Sequence, residues 1–401
     1  EDPHAREIEA LLKEGRFTEM VELADSIAST EFTTSAQHRL KNQLCAVIRK
    51  YPYPTNKVTF DPRARALATF LASEHKCSQV NKRFKLFRTL RSPHELALSQ
   101  ARSWISYVLG ELNLATVWDL CNFGPGASIG VHGDATNNAR KILASEWTVS
   151  SSAYYYAQAC LKMDIHIREY LSARKDPESP FFCFCNESFN QGFAAKAMVV
   201  DYNKIAFVPK TAKTERTIAV EPLLNGYLQK GLDELMRKHL LRVGIDLRDQ
   251  THNQKLARKG SLEDEDDPYV TIDLSSASDS ISVELCRDLL PPDWFSFMDS
   301  IRSKSYVLEG VKCSYEKFTT MGNGFCFPLE TLIFASLCHV ASRESSSSQP
   351  DFSVYGDDLI VRQSVATRLL QLLKLCGFKA NLDKTFLKGS FRESCGADWF
   401  K

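Results

Sequence analysis

Acidic side chains stand at two places where a β-prone run breaks off. Tyr269-Val-Thr-Ile-Asp-Leu274 reads as a short strand carrying Asp273 near its end, and Asp279 follows within Ser275-Ser-Ala-Ser-Asp-Ser280. Phe352-Ser-Val-Tyr355 leads into Gly356-Asp357-Asp358, and Leu359-Ile-Val361 leads out. That pattern predicts a hairpin with Asp357 and Asp358 at its tip, Gly356 permitting the tight turn. Carboxylates at strand ends suit hard divalent cations, because Mg²⁺ takes oxygen ligands and keeps positions open for water and substrate phosphates. Two such ions about 3.5–4 Å apart can activate an attacking hydroxyl and stabilise the leaving oxygen of an in-line phosphoryl transfer. A Gly-Asp-Asp alone is a common turn. The chemistry follows from its combination with Asp273, Asp279 and a set of cations upstream. Lys210, Lys213 and Arg216 recur at intervals of three within Pro209-Lys-Thr-Ala-Lys-Thr-Glu-Arg216, against the single acid Glu215. Such a group could hold a nucleoside triphosphate, or it could be a solvated hairpin face.

These residues need elements to carry them. Ile205-Ala-Phe-Val208 and Thr217-Ile-Ala-Val220 predict a hairpin whose connection is 209–216. After Ser280 an amphipathic helix is expected through Val283, Leu285, Leu289 and Leu290, stopped by Pro291 and Pro292. The glycine loop Met321-Gly-Asn-Gly324 precedes a helix running to about Ala341. Residues 5–110 read as a helical packing layer, with Ile8, Leu11 and Leu12, then Met20, Leu23 and Ile27, at helical spacing. The stretch Phe123-Gly-Pro-Gly-Ala-Ser-Ile-Gly130, with His132-Gly-Asp-Ala-Thr136 after it, is either a plain turn or a backbone open to close approach by a ligand. A basic stretch, Lys255, Arg258 and Lys259, precedes the acidic run Glu263-Asp-Glu-Asp-Asp267, which reads most simply as a solvated loop tip.

The whole chain of 401 residues is 44% hydrophobic and 25% charged, which excludes a wholly disordered or collagen-like protein. Its 50 Lys+Arg and 49 Asp+Glu give a net charge of +1, so it is no globally basic coat, and any polyanion must be held by local charge. The 12 cysteines are scattered; Cys183 and Cys185 are the close pair, too tight for a C-x2-C knuckle. Reduced, mostly buried thiols are expected, as in a cytosolic protein. The longest apolar stretch, Leu332 to Ala341, is about half of a membrane span. The start, Glu1-Asp-Pro-His4, has no initiator Met and no signal-peptide core, and is read as a trimmed end. Ser345–Ser348 reads as a short flexible loop, and there is no internal repeat.

From about Phe123 to the C-terminus the chain resembles the catalytic (beta) subunit of the RNA-directed RNA polymerases of small positive-strand RNA bacteriophages, the Q-beta-like leviviruses. The resemblance is carried by Val208-Pro-Lys through Arg216-Thr-Ile-Ala-Val-Glu-Pro222, Gly244-Ile-Asp-Leu through Asp249-Gln-Thr251, and Ile272-Asp-Leu-Ser-Ser-Ala-Ser-Asp-Ser-Ile-Ser282. It continues through Met321-Gly-Asn-Gly324, Leu332-Ile-Phe-Ala335, Val354-Tyr-Gly-Asp-Asp358, Lys384-Thr-Phe386 and Phe391-Arg-Glu-Ser-Cys-Gly396. Each stretch is weak alone; their order is specific.

The resemblance implies an α+β right-hand polymerase with mixed fingers and an antiparallel-sheet palm. Residues 1–120 would form an N-terminal helical region with fingers, 121–235 the fingers with the nucleotide-entry hairpin, and 236–401 the palm. It implies Asp273, Asp357 and Asp358 as ligands of two Mg²⁺ ions, with Mn²⁺ a possible substitute. Lys384 would be a general acid toward pyrophosphate. Lys210, Lys213, Arg216, Asp279, Asn323 and Gly324 would contact the nucleotide, Asp279 at the ribose 2′-hydroxyl unless it serves only as an acid at a helix N-terminus. Implied partners are template and product RNA, ribonucleoside triphosphates and the host elongation factors Tu and Ts, in the host bacterial cytoplasm with no membrane. The sequence departs from the family pattern at Cys326, where a Thr is usual, and at Pro328, where a Glu is usual; Pro is tolerated in a first helical turn. A second departure is the end at Lys401, which predicts a truncated or reduced thumb. Competing readings are a reverse-transcriptase-like polymerase, which Gly356 and Asp279 disfavour, and a catalytically impaired RNA-binding relic.

Overall fold

The computed structural model describes residues 2–30, 32–90, 92–133, 137–173, 186–262, 264–345 and 350–401. Cys183, Cys185, Asp134–Thr136, Glu263 and Ser346–Ser348 lie outside the described residues. Helices and strands are mixed throughout, an α+β chain. The strand Tyr269–Ser275 sits between Lys379–Ala380 on one side and Asp358–Arg362 on the other, with Phe352–Tyr355 at the far edge and every pair antiparallel.

The period of two along these strands divides their residues between two layers. Val270, Ile272, Leu274, Leu359 and Val361 enter the main core, against which the helices Cys326–Ser345 and Gln363–Leu375 pack. Tyr269 and Ile360 face the other way, onto Leu256 and Ala257 of the helix Thr251–Leu262 and Trp399 of the hairpin Phe391–Phe400. The same alternation places Asp273 and Asp358 on this second face. Slipping either strand by one residue would drive its aspartate into the apolar layer, so register is strongly specified.

A second sheet runs Ser128–Ile129, Thr214–Pro222, Asn203–Thr211, Ser305–Leu308, Val311–Ser314. Its central hairpin differs from expectation. The segment anticipated as a connection, 209–216, is mostly strand, because pairing continues through Val208–Arg216, Pro209–Glu215 and Thr211–Thr214. Register shifts between Pro209 and Thr211, leaving Lys210 at the irregularity, beside a proline with no N–H to donate. The turn shrinks to Ala212 and Lys213, and the Ala212 N–H donates to the Arg49 carbonyl (2.7 Å) at the end of the helix Ser35–Lys50.

The helical expectation for the N-terminal region holds, with helices Pro3–Lys13, Phe17–Ser29, Ser35–Lys50, Pro62–Thr89 and Glu95–Leu109. The first three close a small core of Ile8, Leu11, Met20, Ala24, Ile27 and Cys45. Helix Pro62–Thr89 opens on the Asp61 side-chain cap with proline in its first turn, where the missing N–H is no loss. The described cysteines are free, and most are buried. The described part of the acidic run is not simply solvated: Glu265 pairs with Lys259 (2.6 Å) and Arg362, and Asp267 accepts from the Ser364 N–H (2.9 Å) and hydroxyl (2.7 Å). Cations on the facing helix and strand hold Glu265, and the start of the helix Gln363–Leu375 holds Asp267.

Candidate active site

Asp273 and Asp358 are direct cross-strand partners, so their Cβ atoms stand about 5 Å apart on one face of the sheet. Tyr355 pairs with Asp358, which leaves Gly356 and Asp357 as the two-residue turn. Gly356 has φ +58°, and a Cβ there would meet the Phe327 ring at 2.3 Å. Glycine is thus required twice, by the left-handed backbone and by the aromatic ring packed on it. The Gly356 N–H donates to Thr331 Oγ1 (3.1 Å), tying the turn to the helix behind it.

Burial raises the pKa of all three aspartates. Asp273 is pushed up to about 6 by desolvation and by the charges of Asp357 and Asp358, against the opposing hydrogen bond from Asn381 and the charge of Lys384. Asp357 is raised by desolvation, opposed by a backbone hydrogen bond and by the charges of Lys384, Lys210 and Arg216. Asp358 is raised by desolvation and the neighbouring Asp357 and Glu393, opposed by the Cys395 N–H and Lys384. Two orienting groups were not anticipated from sequence. Asn381 Nδ2 donates to Asp273 Oδ2 and the Asn381 N–H to the Asp273 carbonyl, both at 2.8 Å. The Cys395 N–H (3.2 Å) and Ser394 Oγ (3.4 Å) donate to Asp358 Oδ1. Cys395, at φ +49°, is in the turn of the hairpin Phe391–Phe400. Only the motif Phe391–Gly396 hinted at the second pair.

The cations divide. Lys210 and Arg216 lie within electrostatic reach of Asp357. Lys213, in the turn, pairs instead with Asp25 (2.8 Å), which also accepts from Arg49 (2.8 Å). Lys384 Nζ is 3.1 Å from Glu393. Burial pulls its pKa down, but Glu393, Asp273 and Asp358 outweigh that and raise it. Lys213 and Lys384 line one cavity of about 950 Å³ with Arg49, Arg65 and Lys41.

The glycine loop is held by its neighbours. Gly322, at φ +114°, lies where a Cβ would meet the Ala219 carbonyl at 2.0 Å, and the Met321 carbonyl accepts from the Ala219 N–H (2.7 Å). The Gly324 N–H donates to Gln229 Oε1 (3.0 Å), and Asn323 Oδ1 accepts from the Phe325 N–H (3.0 Å). Asn323 therefore closes the turn just ahead of the helix Cys326–Ser345 with its oxygen, and Gly324 makes close packing against the helix Leu223–Arg242. The helix tolerates Pro328 in its first turn, and the buried Cys326 thiol contacts Thr319 Oγ1 (3.3 Å).

Asp279 sits in a short 3₁₀ turn, Ser278–Ser280, and is buried. Its Oδ1 accepts from the Lys317 ammonium (3.1 Å), a residue the sequence reading passed over. Nearby Glu330, 4% exposed, accepts from Ser278 Oγ (2.7 Å). Its pKa is pushed up to about 8 by burial and the charges of Asp357 and Asp279, against the Ser278 bond.

Among the described residues no group of three or more His, Cys, Asp or Glu side chains is gathered closely enough to hold a metal ion as it stands. The donor set nonetheless fits a hard cation: facing carboxylates on the sheet, a third on the adjoining turn, and mutual repulsion that added positive charge would relieve. The residues that would hold it are Asp273, Asp357 and Asp358.

The model of the RNA replicase, beta-chain family matches residues 17–401. The chain is 37% identical over 340 residues to the RNA-directed RNA polymerase beta chain of Enterobacteria phage fr, covering 84% of this chain and 58% of that protein. It is 35% identical over 366 residues to the RNA-directed RNA polymerase subunit beta of Escherichia virus Qbeta, covering 87% and 55%. With the beta chain of Escherichia phage MS2 it shares 44% over 213 residues, covering 53% and 38%. The chain thus spans about half the length, or less, of the curated relatives it matches.

Proposed function

Because this chain belongs to the RNA replicase beta-chain family, we propose that it carries the catalytic centre for RNA synthesis on an RNA template. The observation that carries this reading is the direct pairing of Asp273 with Asp358, with Asp357 on the adjoining turn and Lys210, Arg216 and Lys384 in its field. In this reading the four-stranded sheet is the palm of a right-hand polymerase, and the hairpin Asn203–Pro222 belongs to the fingers. The 3′-hydroxyl of the growing strand attacks the α-phosphate of a ribonucleoside triphosphate, and pyrophosphate leaves.

Asp273, Asp357 and Asp358 would bind Mg²⁺, or Mn²⁺ in its place. When bound, the ions would supply the positive charge that activates the hydroxyl and stabilises the leaving oxygen. The protein's own groups do the rest. Asn381 and Cys395 aim the carboxylates. Lys210 and Arg216 neutralise triphosphate entering beside Asp357. Lys384, whose pKa the neighbouring acids raise further, would offer its ammonium proton to the leaving pyrophosphate. Asp279 and Asn323 would meet the ribose. The substrates are then template RNA and ribonucleoside triphosphates, and the family resemblance adds host elongation factors Tu and Ts as partners in the bacterial cytoplasm. No described helix is long and apolar enough to cross a membrane.

Primer extension with Mg²⁺ tests the reading. Asp357→Asn should lower incorporation by at least about a hundredfold, since removing one ligand charge costs several kcal/mol of transition-state stabilisation. RNA binding, measured by filter retention, should stay close to wild type. Retained incorporation in that variant would sink the assignment.

A further inference from the structure

The helix Pro62–Thr89 buries a stripe at three- and four-residue spacing: Phe70, Glu74, Cys77, Asn81 and Phe84. Two members of that stripe are polar side chains that a packing helix alone does not call for. Glu74 accepts from the Glu316 N–H (2.8 Å) and the Lys317 N–H (3.3 Å), and stands 3.7 Å from Lys317 Nζ. Asn81 donates to the Glu316 carbonyl (2.8 Å) and accepts from the Glu284 N–H (2.9 Å). Cys77 Sγ contacts the Asp279 carbonyl (3.6 Å). One helix therefore grips both the strand-like segment 316–317 and the turn that carries Asp279.

Lys317 is the centre of this arrangement. Its side chain is fully buried, its ammonium lies 3.8 Å from the centroid of the Phe70 ring, and it reaches Asp279 Oδ1 at 3.1 Å. Burying an ammonium is costly unless it is paired. Here two carboxylates pair it, Asp279 at 3.1 Å and Glu74 at 3.7 Å. An ammonium with three donors can hold one oxygen of Asp279 and leave the other as an acceptor.

We propose that Lys317, held by Glu74, is a positioning residue for sugar discrimination: it fixes Asp279 in the one orientation that accepts from a ribose 2′-hydroxyl. The proposal rests on the polymerase reading above. It makes the helix Pro62–Thr89, remote in sequence from every catalytic motif, part of what sets the substrate. A carboxylate held in place rejects the sugar lacking the hydroxyl because its own acceptor is then left unpaired. A carboxylate freed to rotate finds other partners and discriminates less.

The test is single-nucleotide primer extension with rNTP and dNTP, reading kcat and KM separately for Lys317→Met, Lys317→Arg, Glu74→Gln and Asp279→Ala. Lys317→Met should lower the ratio of kcat/KM for rNTP over dNTP by about tenfold, the scale of one hydrogen bond to a charged partner. The loss should fall on rNTP use, with dNTP use nearly unchanged. Lys317→Arg should recover part of the ratio. Glu74→Gln keeps an acceptor for the backbone N–H groups, folds more readily, and should lower the ratio less. If Asp279→Ala lowers the ratio but Lys317→Met and Glu74→Gln leave it intact, the positioning role is overturned and the ribose contact stands. Equal losses for both sugars in the Lys317 and Glu74 variants would make the cluster purely structural and overturn it as well. If Asp279→Ala itself leaves the ratio unchanged, the ribose contact fails and the positioning role with it. Absence of all incorporation in the wild-type chain would instead overturn the polymerase reading.

Discussion

Glu330 offers a quantitative test of the site's electrostatics. Its carboxyl is 4% exposed in the helix behind the aspartates, and its pKa is pushed up to about 8 from an ordinary 4.5. Between those values the folded chain keeps a proton that the unfolded chain releases. Stability from this group is therefore complete below about pH 4.5, falls as pH rises through the window, and reaches its lowest level above about pH 8. At about 1.4 kcal/mol per pH unit the whole window corresponds to about 5 kcal/mol. Relaxation and water entry around the ionised carboxylate bring the expected effect to about 2–3 kcal/mol. Glu330→Gln cannot ionise, and its amide oxygen can still accept from Ser278. The variant should therefore gain stability over wild type as pH rises, by about 2–3 kcal/mol between pH 5 and pH 8.5. Urea unfolding of both chains at pH 5, 6.5 and 8.5 reads this directly. A difference that stays flat with pH, or shrinks as pH rises, refutes the argument that this carboxyl is held neutral.

Arg216→Ala should raise the apparent KM for all four ribonucleotides by a similar factor in steady-state primer extension, because a contact to phosphate carries no base information; a change confined to one nucleotide counts against it. Gly356→Ala should cost at least about 1–2 kcal/mol of stability for the left-handed backbone alone, and more because its Cβ would sit 2.3 Å from the Phe327 ring. Adding Phe327→Ala should relieve only the steric part, and full recovery of the unfolding midpoint in the double variant would show that the backbone conformation is not the constraint.

The strands that carry the aspartates were legible because their apolar residues alternate and a glycine marks the turn: Val270, Ile272 and Leu274 on one side, Tyr355-Gly356-Asp357 at the tip. The N-terminal helices were legible for the same kind of reason, with apolar residues at helical spacing. The cationic hairpin was half legible. Its β-prone cores were visible, but Pro209, Lys210 and Thr211 look like loop residues, and only backbone pairing with Thr214 and Glu215 shows them to be strand. Lys213, read with Lys210 and Arg216 as one group, is separated from them by Asp25, an acid nearly two hundred residues earlier. Nothing in local composition announces that pairing. Asn381, Cys395, Glu74 and Lys317 escaped for the same reason. Each is an ordinary residue in its own segment and acquires a role only from a partner brought near by the fold.

That pattern follows from what a site rich in carboxylates requires. Asp273, Asp357 and Asp358 are each raised in pKa by burial, and Asp273 and Asp358 also by neighbouring acids. Acids adjacent in sequence or paired across strands can only add to that repulsion, so relief must come from elsewhere in the chain. Asn381 comes to Asp273 across 108 positions, the Cys395 N–H to Asp358 across 37, and Lys317 to Asp279 across 38. These donors offset the desolvation of the carboxylates only in part, since the pKa values of Asp273 and Asp358 remain raised. The centre is left short of positive charge at the sheet face where Asp273 and Asp358 meet. In the proposed reading a divalent cation would supply that charge, beside the Lys210 and Arg216 already in the field of Asp357, and a triphosphate would join them.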